Sequence, residues 1–231
     1  MSGHRYQHII WDWNGTLLDD IHLCILIINS LLETQELPPV SSDSYRAVFR
    51  FPVIDYYRDL GFDFSLAPFE ELSTAFISAY ELGRSHCQLM PGARIILPYL
   101  LENDYTQFIL SASKQEYLDR AVLEYGLVEL FLSQHGIDNH HAAGKLAAGR
   151  ELLAAHPRNP AEFLLVGDTL HDAQVAQALG VDCCLIPNGH QSAQRLQAAD
   201  VPLLGSLLDL ADVLGRATPQ PIAAIRLRDT A

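Results

Sequence analysis

Residues Ile9-Ile10-Trp11-Asp12-Trp13-Asn14-Gly15-Thr16 carry an apolar run directly into a carboxylate, an amide, a glycine and a hydroxyl. A strand over His8–Trp11 would set Asp12 at its carboxyl tip. Gly15 would let the chain turn tightly beyond it, with peptide N–H groups facing an anion. That arrangement suits a carboxylate nucleophile acting on a phosphoryl group. Ser111 follows an apolar run at Gln107–Leu110 in the same way. Asp168 follows Phe163–Val166, within Gly167-Asp168-Thr169-Leu170-His171-Asp172, and Lys145 opens a helical stretch. Alone, each has an ordinary explanation: an Asp after a strand caps or turns, a serine caps the next helix, a lysine at a helix start is solvated. Together, two carboxylates, a hydroxyl and one of only two lysines (the other is Lys114) can converge on one sheet edge. Such oxygen donors suit magnesium, which takes one or two carboxylates, waters and a substrate phosphate.

The elements that must position these groups alternate as in an α/β protein. Strands are expected near His8–Trp11, Gln107–Leu110, Leu130–Leu132, Phe163–Val166 and Cys183–Ile186, with a weak sixth at Val201–Leu204. Helices are expected at Lys114–Tyr125, Ala143–Ala155, Ala173–Leu179 and Ser206–Leu214, with Gly126, Gly180 and Gly215 as C-terminal stops. Between Ile21 and Cys87 the rhythm breaks. Ile21–Thr34, Ser42–Phe49, Val53–Leu60 and Pro68–His86 read as helices with no strand, so a helical insertion follows the first strand and rejoins the core near Met90-Pro91-Gly92. The tail from Thr218 is expected to be extended or poorly ordered. Open parallel sheets bind ligands at the carboxyl ends of their strands, where the polar residues fall.

With 231 residues, 49% apolar and 19% charged, the chain can bury a full core. Its net charge of −13 disfavours nucleic acid and anionic membrane as partners. Cys24, Cys87, Cys183 and Cys184 lack metal-ligand spacing and read as buried free thiols. Met1–His8 has no apolar signal core, and Leu23–Leu32 is too short to span a bilayer; a soluble cytoplasmic protein, monomeric or homodimeric, is expected.

On these residues the chain resembles the haloacid dehalogenase superfamily, in its phosphoglycolate-phosphatase-like branch with a helical cap. Asp12-Trp13-Asn14-Gly15-Thr16 is similar to the DxDGT loop of that family except at Asn14. Phe108-Ile109-Leu110-Ser111 matches its strand ending in a hydroxyl, Lys145 its lone lysine, and Gly167-Asp168-Thr169-Leu170-His171-Asp172 its acidic loop. The resemblance implies a Rossmann-like parallel core over residues 1–18 and 89–231, with a helical cap over 19–88. It implies an aspartyl-phosphate on Asp12 and a Mg²⁺ held by Asp12, the carbonyl of Asn14 and Asp168, with Asp172 in support. Lys145, Ser111 and its neighbour Ala112, Gly15 and Thr16 would hold the phosphate of a small phosphorylated metabolite. Position 14 normally supplies the general acid and base, worth roughly 10² to 10⁴ in rate, and an amide cannot move protons. A low-pKa leaving group or another residue could compensate; Asp19, Asp20 and His171 are near in sequence. A weakly catalytic phosphate binder is the alternative. A phosphonatase would need a cap lysine, which the insertion lacks; a dehalogenase needs no metal loop, and a phosphomutase would want the missing acid. In the insertion, Arg46 and especially Arg50 could bind a substrate carboxylate or second phosphate. His135, His140 and His141 match no metal signature. Asn188-Gly189-His190 could border the site, and Trp13 is expected to pack.

Overall fold

A computed structural model describes residues 5–137, 144–187 and 189–219. Five parallel strands, β1 (His8–Trp11), β4 (Thr106–Lys114), β5 (Ser133–Ile137), β6 (Phe163–Gly167) and β7 (Asp182–Leu185), form one sheet in the order β5-β4-β1-β6-β7. The chain winds outward from β1 through β4 to β5, then returns to the opposite side of β1 for β6 and β7. That reversal beside β1 creates the crevice in which open α/β sheets bind ligands.

Strands buried on both faces read as unbroken apolar runs, and all four residues of β1 are buried. Their alternation sorts them into two cores. Ile9, Trp11, Ile109, Leu164, Val166 and Cys184 join one, covered by α5 (Ala93–Glu102) and α6 (Gln115–Glu124). Ile10, Phe108, Leu110, Phe163, Leu165 and Cys183 join the other, under α7 (Gly144–Ala155) and α8 (Leu170–Leu179).

Several elements depart from expectation. The third strand lies at Ser133–Ile137 rather than Leu130–Leu132, which is partly a 3₁₀ turn. It is an edge strand and half-exposed, so it carries a polar sequence that apolar periodicity cannot detect. Val201–Leu204 forms only an isolated bridge, Leu185 to Leu203. The Ser206–Leu214 helix reduces to a 3₁₀ turn at Leu207–Asp209 followed by Leu210–Val213. The apolar helix α5 was not anticipated. Residues 140, 141, 143, 188 and the tail from 220 lie outside the described residues.

The helical insertion is α1 (Ile21–Glu33), α2 (Ser42–Val48), α3 (Val53–Asp59) and α4 (Phe69–Gly83). It leaves and re-enters the core through a two-strand antiparallel ribbon, β2 (Leu18–Asp19) against β3 (Gln88–Leu89). Strands of two residues carry no readable pattern. A loop after β7 also ties the insertion down: the Gln191 side-chain amide (2.9 Å) and the Arg195 guanidinium (2.5 Å) both donate to the Phe49 carbonyl. Cys24, Cys183 and Cys184 are buried free thiols; Cys87 is half-buried.

Candidate active site

β1 ends one residue before Asp12, whose N–H still donates to the Val166 carbonyl (2.9 Å). Asp12 and Asp168 therefore emerge side by side from adjacent strands, and the Thr16 hydroxyl lies 3.0 Å from an Asp12 oxygen and 3.3 Å from one of Asp168. Gly15 turns the loop with φ +74°, and a Cβ there would overlap the Asp168 carboxylate and the His190 ring. Only glycine meets both demands.

The start of α8 accounts for the spacing of its two acids. Thr169 caps the helix, and Asp172, three residues on, reaches back to the Thr169 N–H (3.0 Å) and hydroxyl (2.6 Å) through Oδ2. Its other oxygen accepts from Lys145 Nζ at 2.5 Å. Lys145, on the first turn of α7, also donates to Asp12 Oδ1. One ammonium, 2% exposed, thus bridges two buried carboxylates.

Ser111 is buried but lies inside β4 rather than at its tip. Its hydroxyl accepts from the Ser113 N–H (3.0 Å). Leu110 and Lys114 pair with His135 and Ile137, so β4 carries two extra residues there. This irregularity brings Ala112 and Ser113 to the cavity wall.

Asn14 is held on every side. Its Nδ2 donates to Asp20 Oδ2 (2.8 Å) and the Tyr80 hydroxyl (2.6 Å), and its Oδ1 accepts from the Ser113 hydroxyl (2.7 Å). Asp20 also accepts from the Gly15 N–H (3.0 Å), the Tyr80 hydroxyl (2.6 Å) and His190 Nε2 (3.3 Å). His190 Nδ1 meets the Tyr45 hydroxyl at 2.9 Å. The sequence offered Asp20 as a residue that could compensate for the missing acid and His190 as a border of the site; it gave no sign of Ser113, Tyr45 and Tyr80, because three other segments bring them to the loop.

Burial raises the Asp12 carboxyl to about 6, with Asp172 adding to the rise and Lys145 opposing it. Burial also pushes Asp168 well above the usual carboxylate range. Burial works against an ionised Asp172, but Lys145 outweighs it and holds the group low. Burial likewise opposes charge on Asp20, where His190, Tyr80 and Asn14 prevail and lower it. His190 is itself raised to about 9: burial alone would lower it, and Asp20 overcomes that. Four buried carboxylates (Asp12, Asp20, Asp168, Asp172) thus outnumber two cations (Lys145, His190), and the excess is met by a proton, favoured on Asp168, or by a metal ion. Burying unpaired charge is costly, and a divalent cation balances it. Asp12, Asp168 and Asp172 present oxygens within 4.8 Å of one another, a hard-donor set that fits such an ion.

The cluster opens into a cavity of about 480 Å³ between sheet and insertion. Arg50 does not reach it; its guanidinium lies outside in a two-bond pair with Asp59 (2.7 and 3.0 Å). Arg46 donates to the Gly189 carbonyl (3.0 Å). His135 bonds Ser133 (2.8 Å), and Trp13 is buried edge-on against Tyr125.

A parallel α/β sheet with a helical insertion after its first strand, and acids at its strand tips around a buried lysine, defines a class of hydrolase scaffold. The chain matches the haloacid dehalogenase-like hydrolase family over residues 9–186 and belongs to it. A phosphoglycolate phosphatase of Synechococcus elongatus is 26% identical over 196 residues, spanning 84% of this chain and 89% of that one. A haloacid dehalogenase-like hydrolase of Streptococcus pneumoniae superposes with a TM-score of 0.78 at 17% identity, covering 90% of this chain and 98% of that one. Protein tyrosine kinase A of Mycobacterium tuberculosis superposes with a TM-score of 0.78 at 21% identity, covering 92% and 100%. At such identities the structural likenesses speak for the fold alone.

Proposed function

We propose that the chain is a magnesium-dependent phosphatase that hydrolyses a small phosphate monoester through an aspartyl-phosphate on Asp12. The observation that carries this reading is Lys145 bridging Asp12 and Asp172 beside Asp168, in a cluster where buried carboxylates outnumber cations. The curated relative is named for phosphoglycolate hydrolysis, which supports phosphatase chemistry.

An Asp12 oxygen forms a bond to phosphorus as the bond to the alcohol oxygen breaks, the departing oxygen taking a proton from solvent; water then attacks phosphorus, gives its proton to solvent and returns the Asp12 carboxylate. Lys145 orients Asp12 and offsets phosphoryl charge, and Asp172 holds Lys145 in place. Ser111 supports the Ala112–Ser113 wall of the cavity, its hydroxyl accepting from the Ser113 N–H. Asp12, the Asn14 carbonyl and Asp168, with Asp172 in support, would hold Mg²⁺, which supplies Lewis-acid charge neutralisation when bound. The helices of residues 19–88 serve as the cap that closes over the substrate and excludes water.

Phosphate release from a panel of monoesters, with and without Mg²⁺ and beside Asp12→Asn, tests the reading. Magnesium-dependent release lost in the variant is the expected result. Inert wild-type protein that still binds phosphate in calorimetry would favour instead a binding role, the reading that Asn14's lack of a transferable proton supports.

A further inference from the structure

The cavity beyond the phosphate end has an unexpected lining. Phe49, Phe51, Tyr56, Phe69, Phe76 and Tyr117 face it, and no arginine does among the described residues. Its two lysines are committed, Lys145 to Asp12 and Asp172, and Lys114 to Glu116 at 2.9 Å. Glu81 on its wall is paired with Arg84 at 3.0 Å and offers no cation either. A carboxylate on the substrate would therefore find no uncommitted lysine or arginine there among the described residues. Apolar rings need none, and 480 Å³ lies in the roughly 300–1,000 Å³ range of pockets that enclose ring-sized ligands. The Tyr56 hydroxyl, buried and without a hydrogen-bond partner, is placed to bind a polar substituent.

A second observation is independent of the first. Asn14 cannot protonate a leaving group, and its amide is fully engaged by Asp20, Tyr80 and Ser113. An alkoxide, about as basic as hydroxide (water ~15.7), needs that proton. A phenolate, whose acid has a pKa near 10, leaves without it.

We propose that the site takes small aryl phosphate monoesters, with the aromatic ring in the cavity and the phenolic oxygen as the leaving atom. The proposal rests on the phosphatase reading above. Asp12 forms the new O–P bond, the P–O(aryl) bond breaks with its electron pair on the phenolic oxygen, and solvent supplies the proton. Water then attacks phosphorus, the Asp12 O–P bond breaks, and the water's proton passes to solvent. No group at position 14 assists that second step, so the phosphoenzyme accumulates.

The test compares phenyl phosphate, benzyl phosphate and phosphoglycolate with the full chain in Mg²⁺, by stopped-flow and by intact-mass spectrometry after acid quench. The expected kcat/KM for phenyl phosphate exceeds that for phosphoglycolate by about tenfold or more, the scale of burying a ring. Phenol appears in a burst stoichiometric with enzyme, and phosphorylated Asp12 is trapped. Benzyl phosphate, with the same ring but an alkoxide leaving group, binds comparably and turns over about 10²-fold slower. Phe76→Asp, which charges the cavity wall at a residue that touches none of the four acids directly but stacks on Tyr80, raises KM for phenyl phosphate about tenfold; Phe76→Ala, read the same way, serves if the charged variant does not fold. Phosphoglycolate turned over as well as phenyl phosphate, or phenyl and benzyl esters alike in kcat without a burst, overturns the proposal and leaves the phosphatase reading standing. No phosphate from any ester and no phosphorylated Asp12 overturns both.

Discussion

At Asn14 the amide does what a carboxylate could not. Asp20 lies 2.8 Å from its Nδ2, and a second acid there would set two buried carboxylates against each other, a pairing that drives one of them to protonate. Asn14→Asp is therefore expected to cost about 2 kcal/mol, lowering the unfolding midpoint by about 4–8 °C for a chain of this size. Scanning calorimetry without metal checks this, and Asn14→Asp/Asp20→Asn should recover most of the loss. Equal midpoints for Asn14→Asp and wild type would refute the coupling. Asp12→Asn is expected to stay folded, because Lys145 keeps Asp172 and the new amide oxygen can still accept from Thr16. It should lose about 10³-fold or more in turnover, measured by phosphate release.

Elements place these residues through short, closed loops. The turn after β1 depends on Gly15, whose φ of +74° and contact with Asp168 leave no room for a side chain. Gly15→Ala should cost about 1–3 kcal/mol and displace Asp168; urea unfolding monitored by circular dichroism gives the cost. The insertion is held by its ribbon and by the bonds to the Phe49 carbonyl. Arg195→Ala removes one charge-assisted bond, a loss of about 1.5–3 kcal/mol, while Gln191 keeps the other. Because Arg195 touches none of the acids, we expect KM to rise about tenfold with kcat nearly unchanged. Steady-state kinetics decides between that and a fall in kcat alone. The core strands and insertion helices were legible because central strands and amphipathic helices carry strong local patterns. β5, β2 and β3 were not: one is a polar edge strand, and the other two are two-residue strands whose pairing depends on distant partners.

At its site the molecule gathers four buried carboxylates around two cations, Lys145 and His190. Binding a divalent cation to the folded state alone must stabilise it, by about 2.7 kcal/mol at a hundredfold excess over Kd. A Mg²⁺-dependent rise in the unfolding midpoint that EDTA reverses, and that Asp168→Asn abolishes, is the expected outcome; an identical rise in the variant would place the ion elsewhere. The local sequence by itself determined the strand-tip placement of Asp12 and Asp168 and the Gly15 turn, because these depend on contacts within a few residues; the helix expected from Ala173 starts at Leu170, capped by Thr169 and Asp172. It also exposed Asn14 as a departure from the proton-transferring acid of similar loops. Only the tertiary structure decided why that amide is tolerated, through Asp20, Tyr80 and Ser113 drawn from three segments, and that His190 pairs with Asp20. It alone placed Arg50 outside the cavity and lined the cavity with rings. Contacts between segments dozens of residues apart leave no periodic trace in the chain, since their partners are chosen by how sheet, ribbon and insertion pack.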